Sequence, residues 1–406
     1  MELSGSSGSP ESQSRRQGFD DLRTPLSQTI GNLPMRVLAV VPLPPPFTGP
    51  ENATALLLEG EHPFDLSLIN TNHRRSPETR GTPGFTGFLG LVRLKAFLIV
   101  RLISWRPRLV YYSITATRLG WIRDSLVILL ARFFGSRLLL HFRGGHFGFF
   151  FADTDPVTRF VVRFCLGLAA GIIVQADRLR PMFAGLVRRI HVLPNPAPDF
   201  PDAPYPRPRR VLFVGHLSQA KGYTTLLRAI PLVLMDVPDA IFSVVGWPKR
   251  HETNIFRNAA TGEQLIREDA ARVFQQEITQ NGLGDHIEFH RDILGQDKAR
   301  KFLSSRVFVL PSYSEGFSVA LAEALSAGLP CVITPVGAGP EIITEGKEGF
   351  FIQPGDHLGL AERITILLKD NELAERMGKA ARQRARDFSP EKVRSIFWRI
   401  VNESVK

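Results

Sequence analysis

Short apolar runs alternate with longer segments of helical periodicity along most of the chain. The first run, residues 35–41, is apolar at nearly every position, as expected of a central strand buried on both faces. Such alternation is typical of parallel-sheet α/β domains. The apolar runs predict two series of strands, the first at 35–41, 66–69, 109–113, 138–142, 172–174 and 191–193, the second at 211–214, 240–245, 287–290, 307–310, 331–333 and 350–352. The predicted fold class is therefore α/β, with two Rossmann-like parallel-sheet domains facing across a cleft.

Helical periodicity fills the stretches between these strands. The predicted helices are at 52–61, 86–104, 119–134, 156–169, 177–188, 221–235, 264–280, 296–304, 317–327, 356–369, 372–386 and 390–404. Seven prolines lie between Pro194 and Pro208, a density that allows neither a helix nor a central strand. The sequence thus divides into a disordered tail, a first domain, a proline-rich linker, a second domain and a final helical segment, at 1–34, 35–195, 196–208, 209–388 and 389–406.

Charge is concentrated in the first half of the chain. Residues 1–200 carry 23 Lys and Arg against 14 Asp and Glu, whereas the rest carries 27 against 25. This excess suggests an anionic partner for the first half: a lipid-phosphate acceptor, an acidic membrane surface or nucleic acid. A merely basic surface is the alternative.

The N-terminus and the two cysteines bear on the cellular compartment. The first 34 residues are polar and basic without an apolar run, which predicts a disordered tail and no secretory signal. No later stretch is long and apolar enough to predict a membrane span. Cys165 and Cys331 lie far apart in apolar segments, which indicates buried thiols in a reduced, intracellular protein without a zinc site.

Two glutamates follow the strand predicted at 307–310. A turn leads to Glu315-Gly316-Phe317 and then to a helix that the Gly-Leu-Pro at 328–330 ends. A helix N-terminus presents free N–H groups to anions, and Gly316 lets a ligand approach the backbone. Glu323 is eight residues after Glu315, which along one helix axis is about 12 Å. Two carboxylates at that spacing could hold opposite ends of a nucleotide sugar.

The segment 311–330 resembles the retaining GT-B glycosyltransferases of family four, the glycosyl transferases group 1. The resemblance rests on the Glu-x7-Glu pair in its Ser-Glu-Gly-Phe context and on the Ala-Gly-Leu-Pro that follows. It implies that Glu315 binds the donor sugar hydroxyls and that Glu323 binds the ribose. We expect Gly316 and Phe317 to contact the donor beside them.

A glycine turn after the first strand of the second domain carries a further candidate. Gly215 and His216 lead to Lys221 at the start of a helix, where its ammonium can meet a diphosphate. The resemblance implies that Lys221 holds the donor diphosphate. His216 stands where the family usually has Arg, and it could still donate a hydrogen bond. The loop Gly337-Ala-Gly-Pro-Glu341 resembles a glycine-rich loop near the donor phosphates, with a plain helix entry as the alternative.

Two loops of the first domain complete the candidate site. Gly49 matches the glycine of a family loop that closes over the donor phosphate and contacts the acceptor. His141, Arg143 and His146 surround a strand end that resembles the family segment facing the reaction centre. His141 and His146 are candidate catalytic groups with Glu315, although packed histidines are the alternative. Arg143 is expected to hold an anionic acceptor or the leaving phosphate.

The resemblance implies a retaining, metal-independent glycosyltransferase of the hexosyltransferase type, with a nucleotide sugar as co-substrate and no cofactor. In GT-B enzymes the last helix crosses back to the first domain, which we expect of residues 389–406. The expected acceptor is a lipid-linked glycan or polysaccharide in envelope polysaccharide or lipopolysaccharide assembly. The expected location is the cytoplasm, with peripheral contact to the anionic inner face of the membrane.

Two other functional classes remain. One is a nucleotide-sugar epimerase or a phosphorylase on the same fold, which donor-only turnover would favour. The other is a basic nucleic-acid-binding protein, but the sequence has no basic and aromatic module of that kind, so nucleic acid is not an expected partner.

Overall fold

A computed structural model describes residues 34–72, 85–248, 256–266, 268–291 and 293–406, with the side chains of 85–93 excepted. Apart from Pro34, the predicted disordered tail lies outside these residues. All twelve predicted strands are present, displaced by no more than two residues at either end. They form two six-stranded sheets in which the pairings recorded between neighbouring strands are parallel.

The first sheet has the strand order β2-β1-β3-β4-β5-β6. Alternate residues of each strand face opposite layers, so that Leu38 and Val40 pack on one side and Val37 and Ala39 on the other. Both faces are buried, which is why these strands are apolar throughout. The strands are β1 (Arg36–Val41), β2 (Asp65–Asn70), β3 (Leu109–Ile114), β4 (Arg137–Phe142), β5 (Gly171–Val174) and β6 (Ile190–Val192).

Helices cover the two faces of this sheet. Three helices lie on the side of Leu38: α2 (Phe85–Ser104), α3 (Arg118–Phe133) and α5 (Pro156–Gly167). Helix α1 (Gly49–Leu58) lies on the other side. A short helix, α4 (Phe147–Asp153), follows β4 and was not predicted. The helix predicted at 177–188 is a 3-10 helix, Asp177–Phe183, because Pro181 inside it interrupts regular α-helical hydrogen bonding.

The second sheet repeats this design with the order β12-β11-β10-β7-β8-β9. The new strands are β7 (Arg210–Val214), β8 (Ile241–Val245), β9 (Ile287–His290), β10 (Val307–Leu310), β11 (Cys331–Ile333) and β12 (Gly349–Phe351). The helices after β7 are α6 (Tyr223–Asp236), α7 (Ala270–Gln280), α8 (Gly295–Leu303), α9 (Val319–Ser326), α10 (Gly339–Ile342), α11 (His357–Lys369), α12 (Asn371–Ala385) and α13 (Pro390–Ser404). The two sheets and their helices form the expected pair of Rossmann-like halves, so the predicted fold class is confirmed.

Helix α13 lies against the first sheet although it is the last helix described. Its Val393, Phe397 and Val401 are buried with Val37 and Leu57 in one core cluster. No helix or strand occurs between β6 and β7, in residues 193–209, where the sequence is rich in proline. The boundaries of the predicted domains remain a prediction. Among the described helices, none is both long and apolar enough to cross a bilayer.

Candidate active site

The loop after β10 carries the first glutamate. Glu315 accepts a hydrogen bond from Ser312 Oγ at 2.8 Å, and the ammonium of Lys221 lies 2.5 Å from the same carboxylate oxygen. The carboxylate side chain is 10% exposed, so the ion pair is largely shielded from water. The structure therefore places together two residues that the sequence predicted as donor-binding, Glu315 and Lys221.

Glycines bring the backbones of the two halves into contact at this loop. A methyl group on Gly145 would overlap the carbonyl oxygen of Glu315, and one on Gly316 would lie 2.9 Å from Cα of Gly144. There is also no room for a side chain at Gly337, which has a φ of +55°. A methyl group added there would lie 2.5 Å from the Glu315 carbonyl oxygen. Ala338 donates a backbone hydrogen bond to Gly316 at 2.8 Å. These contacts fix the Glu315 loop against both halves.

The second glutamate is held by a lysine that the sequence did not indicate. Lys298 on α8 contacts both oxygens of Glu323 on α9, at 2.6 and 2.7 Å. Glu323 is buried, so this charged partner offsets the cost of removing the carboxylate from water. Helix α9 begins at Val319, after Glu315. Glu315 thus precedes the helix, as the predicted bounds of 317–327 imply, and Glu323 lies within it. The spacing of about 12 Å along one helix axis stays a prediction.

Lys221 is positioned by the turn after β7. It ends a 3-10 turn, Gln219–Lys221, and Gly222 follows it at φ +70°. A side chain on Gly222 would overlap the carbonyl oxygen of Pro311, so glycine is needed here. Gly215 borders the aliphatic chain of Lys221, and the ring of His216 lies 5.8 Å from that of Trp247. The turn thus orients the Lys221 ammonium toward the Glu315 loop.

The two candidate histidines lie at either end of the segment 141–146. His141 is buried, and its Nδ1 is 2.6 Å from Tyr111 Oη. Burial, and secondarily the charge of Arg143, holds the pKa of His141 well below its usual value. Burial lowers the pKa of His146 to about 4, and its ring contacts those of Phe142 and Phe256. Both imidazoles are consequently neutral at physiological pH.

A hydrogen-bond chain joins Arg143 to the Glu315 loop. Arg143 Nη1 donates to Asn195 Oδ1 at 2.6 Å, and Asn195 Nδ2 donates to the Phe317 carbonyl at 3.2 Å. Among the described residues, Nε and Nη2 of Arg143 and Nε2 of His141 are buried without a hydrogen-bond partner. Because buried polar atoms are normally paired, these three nitrogens could receive polar atoms of a ligand. The Phe317 side chain itself packs against Phe388.

Gly49 opens helix α1 and lies next to the start of α9. A methyl group on it would be 3.5 Å from Val319 Cγ2. Glu51 in the same turn is fully buried and bonded to the Thr48 hydroxyl, with Asn72 Nδ2 3.4 Å from its other oxygen. The predicted loop is thus an ordered helix start beside the second half.

The partners that the sequence did not reveal are far along the chain from the residues that they contact. Lys298 is 25 positions from Glu323, and Asn195 is 122 positions from Phe317. Glu341 was singled out in the sequence, but its role here is different: it accepts hydrogen bonds from the backbone N–H groups of Asp177 and Arg178 at 2.9 and 2.7 Å. It links the second half to the first.

The second half contributes two carboxylates, each with its own lysine. The first half contributes two neutral imidazoles and an arginine from the segment 141–146, whose backbone contacts the Glu315 loop. Carboxylates accept hydrogen bonds from sugar hydroxyls, whereas an ammonium and backbone N–H groups bind phosphate. The loops after the carboxyl ends of β4, β7 and β10 carry Arg143 and His146, Lys221, and Glu315. His141 lies at the end of β4, and the second ion pair is on the helices α8 and α9. The carboxyl-end edge is where open α/β sheets bind ligands.

The second half of the chain is similar in sequence to known proteins. The family model of glycosyl transferases group 1 matches residues 199–384. Spore coat protein SA of Bacillus subtilis is 32% identical over 43% of this chain and 43% of its own. D-inositol 3-phosphate glycosyltransferase of Streptomyces avermitilis is 29% identical over 53% of this chain and 42% of its own. The chain thus spans less than half the length of these two relatives.

Solved structures extend the likeness of fold to the first half. Sucrose-phosphate synthase from Thermosynechococcus elongatus superposes with a TM-score of 0.69 at 18% identity, over 91% of this chain and 98% of that one. HepE from Anabaena, solved with UDP and glucose, superposes with a TM-score of 0.64 at 17% identity, over 91% and 99%. The chain has the GT-B fold, and its residues 199–384 match the family model of the glycosyl transferases group 1.

Proposed function

We propose that the protein is a retaining glycosyltransferase that moves a sugar from a nucleoside-diphosphate sugar to an acceptor. The observation that carries the proposal is the Lys221–Glu315 pair, held by Ser312 and the surrounding glycines at the gap between the two halves. The family match of residues 199–384 supports the same activity. UDP and glucose in the HepE structure make a UDP-sugar the first donor to test.

In this proposal each charged group has one task. Lys221 and nearby backbone N–H groups hold the diphosphate and stabilise the negative charge that develops on it as the sugar leaves. Glu315 accepts hydrogen bonds from the sugar hydroxyls, and Glu323 accepts them from the ribose. Because Lys221 contacts Glu315 directly, sugar and diphosphate recognition are coupled through one ion pair.

We propose that the attack occurs on the same face of the sugar as departure, without a covalent enzyme intermediate. Glu315 is already engaged by Lys221 and Ser312, which favours a role in hydroxyl binding over nucleophilic attack. A neutral imidazole at His141 or His146 would act by hydrogen bonding. An NMR assignment of the product anomer tests retention, and an inverted anomer would contradict it. Unchanged turnover in EDTA is expected of the metal-independent reaction.

The proposed acceptor is a lipid-linked glycan or polysaccharide in envelope glycan synthesis. It is supported by the basic first half of the chain and by the buried, partly unpaired guanidinium of Arg143. Peripheral contact with an anionic membrane, from the cytoplasmic side, belongs to the same proposal. Turnover of a soluble acceptor at equal efficiency would count against the lipid-linked one.

A thermal-shift panel of UDP-, GDP- and ADP-sugars tests the donor site. One nucleotide family should raise the melting temperature of the wild type by a few degrees at saturating ligand. Lys221→Met and Glu323→Gln should lose this shift, measured against each variant without ligand. Lys379→Met, at an exposed position on α12, is the matched control and should keep it. A shift that survives in Lys221→Met and Glu323→Gln would place the donor elsewhere.

A further inference from the structure

Large apolar side chains are exposed on the outer surface of α2, α3 and α5. Of the 17 large hydrophobic residues that the described part of the chain exposes, ten are on these three helices. They are Phe97, Val100, Ile103, Leu119, Ile122, Leu129, Phe133, Val157, Phe160 and Phe164. We call these ten residues the outer helical face. Their concentration in one layer of one half distinguishes it from the scattered exposure of ordinary surfaces.

The spacing of these residues aligns them on each helix. On α3 they recur at 119, 122, 129 and 133, and on α5 at 157, 160 and 164, so each set follows one side of its helix. The opposite sides of the same helices carry Trp121, Val127 and Val162, which are buried against the sheet. The helices are therefore apolar on both sides, whereas a helix at a protein–water boundary is normally apolar on one.

Basic side chains are interspersed with the outer helical face. The three helices contain eight Lys and Arg and a single acidic residue, Asp124, which is fully buried. Arg101 lies over the ring of Phe97, and Arg118 is 63% exposed beside Leu119. Asp153 ends α4 and Asp155 caps the start of α5, and each of these two acids is paired with an arginine.

This charge distribution discriminates between possible partners. Two copies of the chain meeting symmetrically through the outer helical face would bring arginines against arginines, with no exposed carboxylate on the helices to pair them. An anionic lipid surface complements both features, because Phe, Leu and Ile enter the acyl boundary while Arg side chains reach lipid phosphates.

We propose that the outer helical face binds the surface of an anionic bilayer. Leu119 and Val157 lie in the first turns of α3 and α5, which follow the carboxyl-end edge of the first sheet where the candidate active site lies. The bound face consequently extends toward that site, within reach of an acceptor whose lipid stays in the bilayer. This inference deepens the membrane contact of the proposed function and rests on it.

Vesicle flotation without donor or acceptor tests the proposal. Wild-type protein should float with phosphatidylglycerol–phosphatidylcholine vesicles and remain largely unbound with phosphatidylcholine alone. Phe133→Ser/Phe160→Ser should lower the vesicle partition coefficient about tenfold, because two apolar anchors are lost. Met235→Ser/Leu358→Ser removes two equally exposed apolar residues from the second half and should bind as the wild type does.

Two double variants that remove arginines separate the electrostatic contribution to vesicle binding from the apolar one. Arg118→Gln/Arg163→Gln should weaken binding to anionic vesicles about tenfold, whereas Arg300→Gln/Arg376→Gln, on α8 and α12, should not. The donor-induced thermal shift should survive in all four double variants, so failure of vesicle binding is distinguishable from failure of sugar transfer. Two results would overturn the proposal: wild type that does not float with anionic vesicles, or a dimer in light scattering that Phe133→Ser/Phe160→Ser abolishes.

Discussion

Gly145 meets the Glu315 carbonyl oxygen at a distance that leaves no space for a side chain. At the residue scale, this contact shows how the site depends on positions that carry no chemistry of their own. A packed backbone contact resists insertion of even one methyl group, because the neighbouring atoms cannot all move aside.

Gly145→Ala is expected to destabilise the protein by about 1–3 kcal/mol and to reduce kcat/KM at least about tenfold, by displacing the Glu315 loop. Gly148→Ala is the matched control, because a methyl there has no neighbour nearer than 3.9 Å and the position lies in helix α4. Denaturation and steady-state kinetics measure the two effects. Equal kinetics in the two variants would contradict the argument.

The histidines give a prediction for pH dependence. Both pKa values are depressed, so between about pH 6 and pH 8 neither imidazole changes charge. We expect kcat/KM to show no acid limb near pH 6.5 from His141 or His146. An acid limb at that pH that disappears in His141→Gln would show that the imidazole titrates during turnover.

The same shifts predict acid sensitivity of stability. Above pH 6.5 the histidines are neutral in both the folded and the unfolded chain and contribute no pH dependence. Below it the unfolded chain binds protons that the folded protein does not, down to about pH 4 for His146. The free energy of unfolding should therefore fall with acid by up to about 1.4 kcal/mol per pH unit for His146. Melting curves of His146→Gln should show a shallower slope in this window than the wild type.

At the element scale, α8 and α9 are connected through Lys298 and Glu323. Each helix contributes one charge to a pair that neither could bury alone, since an unpaired carboxylate inside the protein is strongly unfavourable. The proposed donor-binding role of Glu323 on α9 thus depends on the placement of α8. A helix shift that separated the two side chains would leave Glu323 without its positive neighbour.

Lys298→Met is expected to lower the free energy of unfolding by about 3 kcal/mol, by leaving the Glu323 carboxylate buried without a counter-charge. Adding Glu323→Gln should recover part of that loss, since the two changes act on one interaction. Lys301→Met, on the same helix, removes an ion pair with the more exposed Glu288. It should lower the free energy of unfolding by less than Lys298→Met does. Urea denaturation compares the variants, and strictly additive single effects would refute the coupling.

The sequence predicted the elements better than the contacts between them. Buried parallel strands are continuous apolar runs, so the twelve strands could be located to within two residues. Helix α4 was missed because Phe147–Asp153 is short, aromatic and without a side-chain cap on its first turn. Glu315 and Lys221 could be singled out because each follows a strand at a glycine turn, and the structure brings their side chains into contact. The roles of Lys298 and Asn195 could not be predicted from the sequence, because tertiary packing alone brings these residues to their partners.

At the scale of the whole molecule, several polar and aromatic contacts join the halves around the site. Arg257 contacts Asp153 at 2.8 Å, and the ring of His146 lies 5.2 Å from that of Phe256. Glu341 adds two hydrogen bonds from the Asp177 and Arg178 backbone. These polar links act alongside the backbone contacts at Gly145 and Gly316 in holding the halves together.

Glu341→Ala should favour an open arrangement by about 1–3 kcal/mol, because two backbone N–H groups lose a charged acceptor. We expect a larger radius of gyration by small-angle X-ray scattering without ligand and a higher KM for the donor. Glu362→Ala, at an exposed position on α11, serves as the control. Scattering and KM that match those of the control would mean that Glu341 does not hold the halves together.

Helix α13 has a consequence for the order in which the protein can fold during synthesis. When the ribosome has made β1 to β6, one face of their sheet still lacks Val393, Phe397 and Val401. Tyr111, whose ring is 4.9 Å from that of Phe397, would then remain uncovered while about 200 further residues are translated. The first half is thus incomplete until its last helix emerges. In the cell, the interval between these events is when chaperones would be needed most.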